Sequence, residues 1–176
     1  MDGQVDPRAR RTRDAIVGAL VERVFRQRYD AIRTGDLIAA AGVGRSTFYA
    51  HFRSKDAVLL AAMEPILLPL ANAAAGRASA AQLRSTLAHV WERRSLARAV
   101  LGSAAGMKLQ RRLAAMIGEA VERRDGAVPP AMLAMAAAAA QLTMLRMWVG
   151  GEATCSVADL ASRIMACARL VDTGAR

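Results

Sequence analysis

The stretch Leu37-Ile38-Ala39-Ala40-Ala41-Gly42-Val43-Gly44-Arg45-Ser46-Thr47-Phe48-Tyr49-Ala50-His51-Phe52 decides the fold. Thr34–Ala41 reads as a short helix with Leu37, Ile38 and Ala41 inward, and Arg45–Phe52 reads as another. Gly42-Val43-Gly44 lies between them as a turn, because glycine takes the left-handed conformation that follows many helix ends. Two short helices on a glycine-containing turn make a helix-turn-helix. Leu37, Ile38, Val43, Phe48 and Phe52 are placed to bury the junction and fix the interhelical angle. Arg45, Ser46, Thr47, Tyr49 and His51 are then left facing outward. A short helix held at that angle fits the major groove of duplex DNA, its N-terminal residues nearest the base edges.

Upstream, residues 1–7 read as a disordered tail ending at Pro7. From Arg8 to Arg28, Ile16, Leu20, Val24 and Phe25 recur at helical spacing and predict one buried stripe. Tyr29–Arg33 is a short connection. Downstream, Ser54-Lys55-Asp56 opens a fourth helix, with Ser54 as N-cap and Asp56 favourably placed in the positive first turn. Pro65 and Pro69 fall inside its apolar continuation and predict a kink or restart near Glu64. Ala73–Ala80 reads as a linker. Further helices are expected over Ala81–Glu92, Leu96–Leu101, Met107–Arg124, Ala131–Val149 and Val157–Asp172, with breaks at Asp125–Pro130 and Gly150-Gly151.

Composition agrees with an all-α chain. Apolar residues make up 54% of the 176, only 4% are aromatic, and alanine and leucine supply much of the apolar share. The formal net charge of +10 suits a polyanionic partner. It does not locate a face, since residues 1–56 carry 11 basic and 7 acidic side chains and residues 57–176 carry 14 and 8. The charged N-terminus has no apolar core of the kind a signal peptide needs, and the run Ala131–Leu145 is shorter than a membrane span and ends at Arg146. No membrane association and a cytoplasmic location are expected. His51 and His89 are far apart, and Cys155 and Cys167 read as buried structural thiols. No nucleophile–base pair, metal-ligand spacing or phosphate-cradling glycine loop is evident, so an enzyme, a cofactor and a metal site are not expected.

Residues Arg13 through Met63 resemble the TetR family of regulators. The resemblance is most specific at Tyr29-Asp30-Ala31-Ile32 and at Val43-Gly44-Arg45-Ser46-Thr47-Phe48-Tyr49-Ala50-His51-Phe52-Arg53-Ser54-Lys55-Asp56. It implies a helix-turn-helix DNA-binding domain over 8–56 and a helical regulatory and dimerisation domain over 57–176. Arg45, Ser46 and Thr47 would meet base edges or nearby phosphates, with Arg45 suited to bidentate readout of guanine. Tyr49 and His51 would donate to phosphates, as would Lys55 at the start of the fourth helix. Gly44, Arg33 and Thr34 complete the implied contact set. Arg8, Arg10, Arg11 and Arg13 would approach the backbone or minor groove. Other roles suit the same side chains: a core-facing His51, a Tyr49 packed on the first helix, and arginines that merely solvate a helix start. Arg33 departs from the family, which carries Ser or Thr there as a cap. Thr34 would then cap the second helix in its place, or the Arg33 guanidinium would touch phosphate directly. Gly35 also weakens that helix by about 1 kcal/mol relative to Ala, which leaves it frayed until DNA binds.

For the second domain, the resemblance implies a dimer through the last two long helices, with Leu142, Leu145, Trp148, Leu160 and Ile164 on their faces. An intramolecular core is the competing role for these residues. Such a dimer would place two recognition helices about 34–36 Å apart on a palindromic operator in double-stranded DNA. A small apolar or amphipathic ligand would sit among Met63, Leu67, Leu87, Trp91, Met107, Leu113, Met116 and Met144, with Glu64 and His89 as polar anchors. The same residues suit plain core. The expected function is that of a repressor released by such a ligand. The alternative is a DNA-binding regulator without an effector, controlled by abundance or a protein partner.

Overall fold

A computed structural model describes residues 6–121 and 128–171. Every regular element among them is helical. The chain divides into two compact units, Met1–Met63 and Glu64–Arg176. The expected tail up to Val5, the end of the helix predicted to Arg124, the first half of the break at Asp125–Pro130, and Asp172 lie outside the described residues.

In the first unit, α1 (Pro7–Arg26) starts where Asp6 accepts a hydrogen bond from the Arg8 amide at 3.0 Å and Pro7 occupies the first turn. Ile16, Leu20 and Val24 form the buried stripe, joined by Ala19. Phe25, expected within that stripe, is 58% exposed. Nine residues on from Ile16, it falls on the opposite side of a helix turning about 100° per residue. A short 3₁₀ turn, Tyr29–Ala31, leads to α2 (Thr34–Ala40) and α3 (Arg45–His51). Gly42 takes φ +63° between them, and Val43 N–H closes back on Ile38 O at 3.3 Å. Leu37, Phe48 and Phe52 are 0%, 0% and 4% exposed, while Ile38 and Val43 are half-buried.

The helix α4 (Lys55–Ala74) carries the boundary between the units and runs unbroken through Pro65 and Pro69. The expected restart near Glu64 does not occur. Each proline deletes one backbone bond, at about 3 kcal/mol. Leu67, Leu70, Ala71, Ala73 and Ala74, all at most 2% exposed, hold the continuation in the core against that cost.

In the second unit, α5 (Ala80–Glu92) is capped by Ser79 and is followed by α6 (Arg94–Leu101), α7 (Ala105–Ala120), α8 (Pro130–Gly150) and α9 (Val157–Ala166). The predicted last helix is divided at Cys167, after which α10 (Ala168–Val171) follows. The expectation of buried thiols is met at Cys167 but not at Cys155, which is exposed. α7 and α8 form the most extensive pairing. The α6–α7 corner depends on Gly106, where a Cβ would stand 2.6 Å from Leu101 O. At 21 residues, α8 exceeds the Ala-rich run read from sequence; it and α4 are long and apolar enough to cross a membrane by length and composition. Each buries 44% of its most apolar window within the fold.

Candidate nucleic-acid interface

The candidate surface is built on α3. Phe48 and Phe52 turn inward with ring centroids 6.3 Å apart. Their spacing of four leaves Arg45, Ser46, Thr47 and Tyr49 on exposed faces, with Tyr49 50% exposed and edge-on to Phe48 at 5.4 Å. His51 is half-buried at the end of the helix. Gly44 is the N-cap and has no side chain to satisfy the first amides of α3.

Arg33 is the N-cap of α2 and is exposed; Thr34 is the first helical residue, so the expected cap by Thr34 is not what the structure shows. The Asp36 carboxylate instead accepts the Arg33 amide at 2.9 Å. The Arg33 guanidinium has no lone pair with which to return that bond. Asp36 is legible in the sequence as an acidic residue three places after a helix start. α2 is helical from Thr34 to Ala40.

Lys55 is placed differently from the free phosphate-contacting cation that the sequence suggested. Its ammonium donates to Tyr29 O at 3.0 Å, Asp30 O at 3.3 Å and Ile32 O at 2.8 Å. It also lies 4.6 Å from the centre of the Tyr29 ring. An ammonium has three N–H donors, so all three are engaged within the module. Beside it, the Tyr29 hydroxyl donates to Asp56 Oδ1. Burial, that hydrogen bond and the neighbouring carboxylates of Asp56 and Asp30 push the Tyr29 phenol far above its usual range. No local signal reveals these contacts, which join residues 23 to 27 positions apart.

Of the N-terminal arginines, Arg8, Arg10 and Arg11 are exposed, whereas Arg13 stacks over Phe52 at 4.7 Å. Arg53, exposed between α3 and α4, was not singled out from sequence, although a basic residue at that junction was legible.

The residues expected at a dimer surface are core. Leu142, Leu145, Trp148, Leu160 and Ile164 are 7%, 2%, 4%, 3% and 0% exposed within one chain. Trp148 lies against Trp91, centroids 4.6 Å apart, and its indole N–H donates to Cys155 O at 3.2 Å. The helical period does not say which of two apolar faces turns inward. The residues expected to line a ligand pocket are also mostly buried. Leu67, Leu87, Leu113 and Met116 are buried and Met63 and Met144 half-buried, whereas Trp91 and Met107 are 40% and 54% exposed. A cavity of about 250 Å³ lies elsewhere, lined by Leu101, Ser103, Gln110, Leu142, Thr143 and Arg146 together with Met107. Glu64 and His89 are exposed and stand outside it.

The model of the bacterial regulatory proteins of the tetR family matches residues 22–62, the segment that carries this surface. Over 69 residues the chain is 36% identical to the HTH-type transcriptional regulator EthR of Mycolicibacterium smegmatis, a match covering 35% of this chain and 32% of that relative's length. The fold is similar to that of a TetR transcriptional regulator from Streptococcus agalactiae 2603V, with a TM-score of 0.59, 22% identity, and coverage of 92% of this chain and 95% of the other. It is also similar to that of the dihydroxyacetone kinase operon activator DhaS, with a TM-score of 0.51, 16% identity, and coverage of 90% and 94%. The chain is similar to the tetR family of bacterial regulatory proteins over its helix-turn-helix segment, residues 22–62, and its helical fold is similar to those of the two solved structures.

Proposed function

We propose that this chain is a sequence-specific DNA-binding transcriptional regulator that acts in the cytoplasm as a homodimer on a palindromic operator. One observation carries the reading: α3 turns Phe48 and Phe52 into the core and keeps Arg45, Ser46, Thr47 and Tyr49 outside. Laid in the major groove, that helix brings Arg45, Ser46 and Thr47 to base edges and Tyr49 and His51 to phosphates, with Arg33, Thr34 and Gly44 alongside. The outer face of α8, where Met132, Met135 and Met147 are 62%, 36% and 37% exposed, replaces the buried residues above as the dimer surface. At about 100° per residue these three fall within one third of the helix circumference.

Selection of bound duplexes from a random pool tests the reading. A recovered two-fold motif is expected, with Arg45→Ala costing about 1–3 kcal/mol on it and relaxing one base position. Recovery of no motif would overturn it. Repression relieved by a small apolar or amphipathic ligand would use the cavity in the second unit. At about 250 Å³, that cavity falls below the roughly 300–1,000 Å³ of ordinary ligand sites. A regulator without a small-molecule effector is the alternative reading. A metabolite that raises Tm and releases the selected duplex would support the ligand-responsive reading, and one that binds without releasing it would count against it.

A further inference from the structure

A lysine at the first position of α4 is on the wrong end of the helix, since the helix dipole is positive there. The structure supplies the compensation. The ammonium sits in a cradle of three carbonyls at the end of the 3₁₀ turn, where the backbone presents partial negative charge; Tyr29 O accepts the Ile32 amide as well, at 3.2 Å. Asp56, the next residue, takes the Tyr29 hydroxyl. Two successive residues of α4 therefore grip one three-residue turn, one by its carbonyls and ring face, the other by its phenol. This grip ties residues 29–32 to residues 55–56. Everything between these ends is α2, the Gly42 turn and α3.

We propose that Lys55 is a positioning residue: it closes the helix-turn-helix into a loop of fixed geometry and sets the angle at which α3 is presented, without itself neutralising a phosphate. The inference rests on the DNA-binding reading above for its functional consequence. The two roles make opposite demands on the side chain. A phosphate contact needs a positive charge that can reach outward, and arginine meets that need as well as lysine. The cradle needs three donors converging from one nitrogen, which the planar fork of arginine does not provide.

The test uses the full-length chain and the duplex recovered by selection, with a scrambled duplex as the non-specific probe. Lys55→Arg is expected to raise Kd for the selected duplex at least tenfold and leave Kd for the scrambled one within about threefold. Lys55→Met is expected to lose specific affinity with an unchanged slope of log K against log salt. If Lys55 neutralises a phosphate, that slope falls by about 0.9 and Lys55→Arg binds like the wild type; either result overturns the proposal. Should Lys55→Met fail to fold, the charge-conserving Lys55→Arg decides alone. Amide exchange over residues 31–37 gives a readout independent of DNA. It is expected to quicken at least tenfold in Lys55→Arg, and unchanged protection would refute the clasp even if the wild type selected no duplex.

Discussion

Truncating the two neighbouring aromatics of α3 one at a time should produce opposite phenotypes. Phe48 is 0% exposed and lies in the cluster with Phe52 and Tyr49. Core Phe→Ala changes cost about 3–5 kcal/mol. The unit Met1–Met63, at a typical ~0.05–0.15 kcal/mol per residue, holds about 3–9 kcal/mol in total. Phe48→Ala should therefore remove about a third or more of that unit's stability. Tyr49, 50% exposed, has an edge-on contact with Phe48, and such pairs contribute about 0.5–1.5 kcal/mol. Tyr49→Ala should leave the unit folded and weaken binding to every duplex, because a phosphate contact is lost. Tryptophan fluorescence is blind to the difference: Trp91 and Trp148 both belong to the other unit. Amide exchange over residues 16–52 in a urea series is the suitable measurement. If Tyr49→Ala destabilised this region as much as Phe48→Ala, the inward and outward faces of α3 would be reversed and the DNA-facing assignment would fall with them.

The Tyr29 phenol, raised by burial and by its bond to Asp56, titrates in the unfolded chain near pH 10 but not in the folded one. The folded state then retains a proton that the unfolded state releases, so stability declines above about pH 10 by up to ~1.4 kcal/mol per pH unit. Tyr29→Phe should remove this part of the alkaline slope in urea titrations, and an unchanged slope would contradict the assignment. Gln141, 0% exposed, donates to Leu70 O at 3.1 Å and to Ile164 O at 3.5 Å, while its own carbonyl oxygen has no partner. Gln141→Met deletes a buried unpaired acceptor together with the two bonds and should change stability by less than about 1.5 kcal/mol. Gln141→Glu should be strongly destabilising at pH 7 and recover as the carboxyl is protonated; a pH-independent loss would argue against burial as its cause. Gly35 has nothing within 4 Å of an added Cβ, so Gly35→Ala should raise the urea midpoint, by up to about 1 kcal/mol. At Gly106 the same change meets Leu101 O and should cost about 1–3 kcal/mol. Equal effects of the two alanines would mean that the α6–α7 corner is looser than described.

The parts of this protein that were legible in sequence are those specified by neighbours within one turn of chain. The Gly42 turn, the Phe48/Phe52 spacing, the Ser54 cap and the outward set on α3 all follow from residues three or four apart. What escaped depends on contacts across the fold. Phe25 and Leu142 are both apolar residues on helices, yet one is 58% and the other 7% exposed. Only the packing of other helices separates them. The prolines of α4 read as a break because their local cost is evident, while the burial that offsets it comes from residues far away in the chain.

Lys55 belongs to the same class, with a sharper lesson. A motif that resembles a family's pattern carries the residue type and the position, but a lysine is equally suited to a phosphate and to a ring of carbonyls. The distances of 3.0, 3.3 and 2.8 Å to three carbonyls of its own chain decide between them. If the proposals above hold, the direct contacts with DNA would fall to α3 and to the exposed arginines around it, and the start of α4 would serve to hold that helix still. A regulator that distinguishes one operator from many similar sequences needs its recognition helix fixed in angle as much as it needs charge, because hydrogen bonds to base edges tolerate little displacement. On this view, specificity here rests partly on side chains that never reach the DNA.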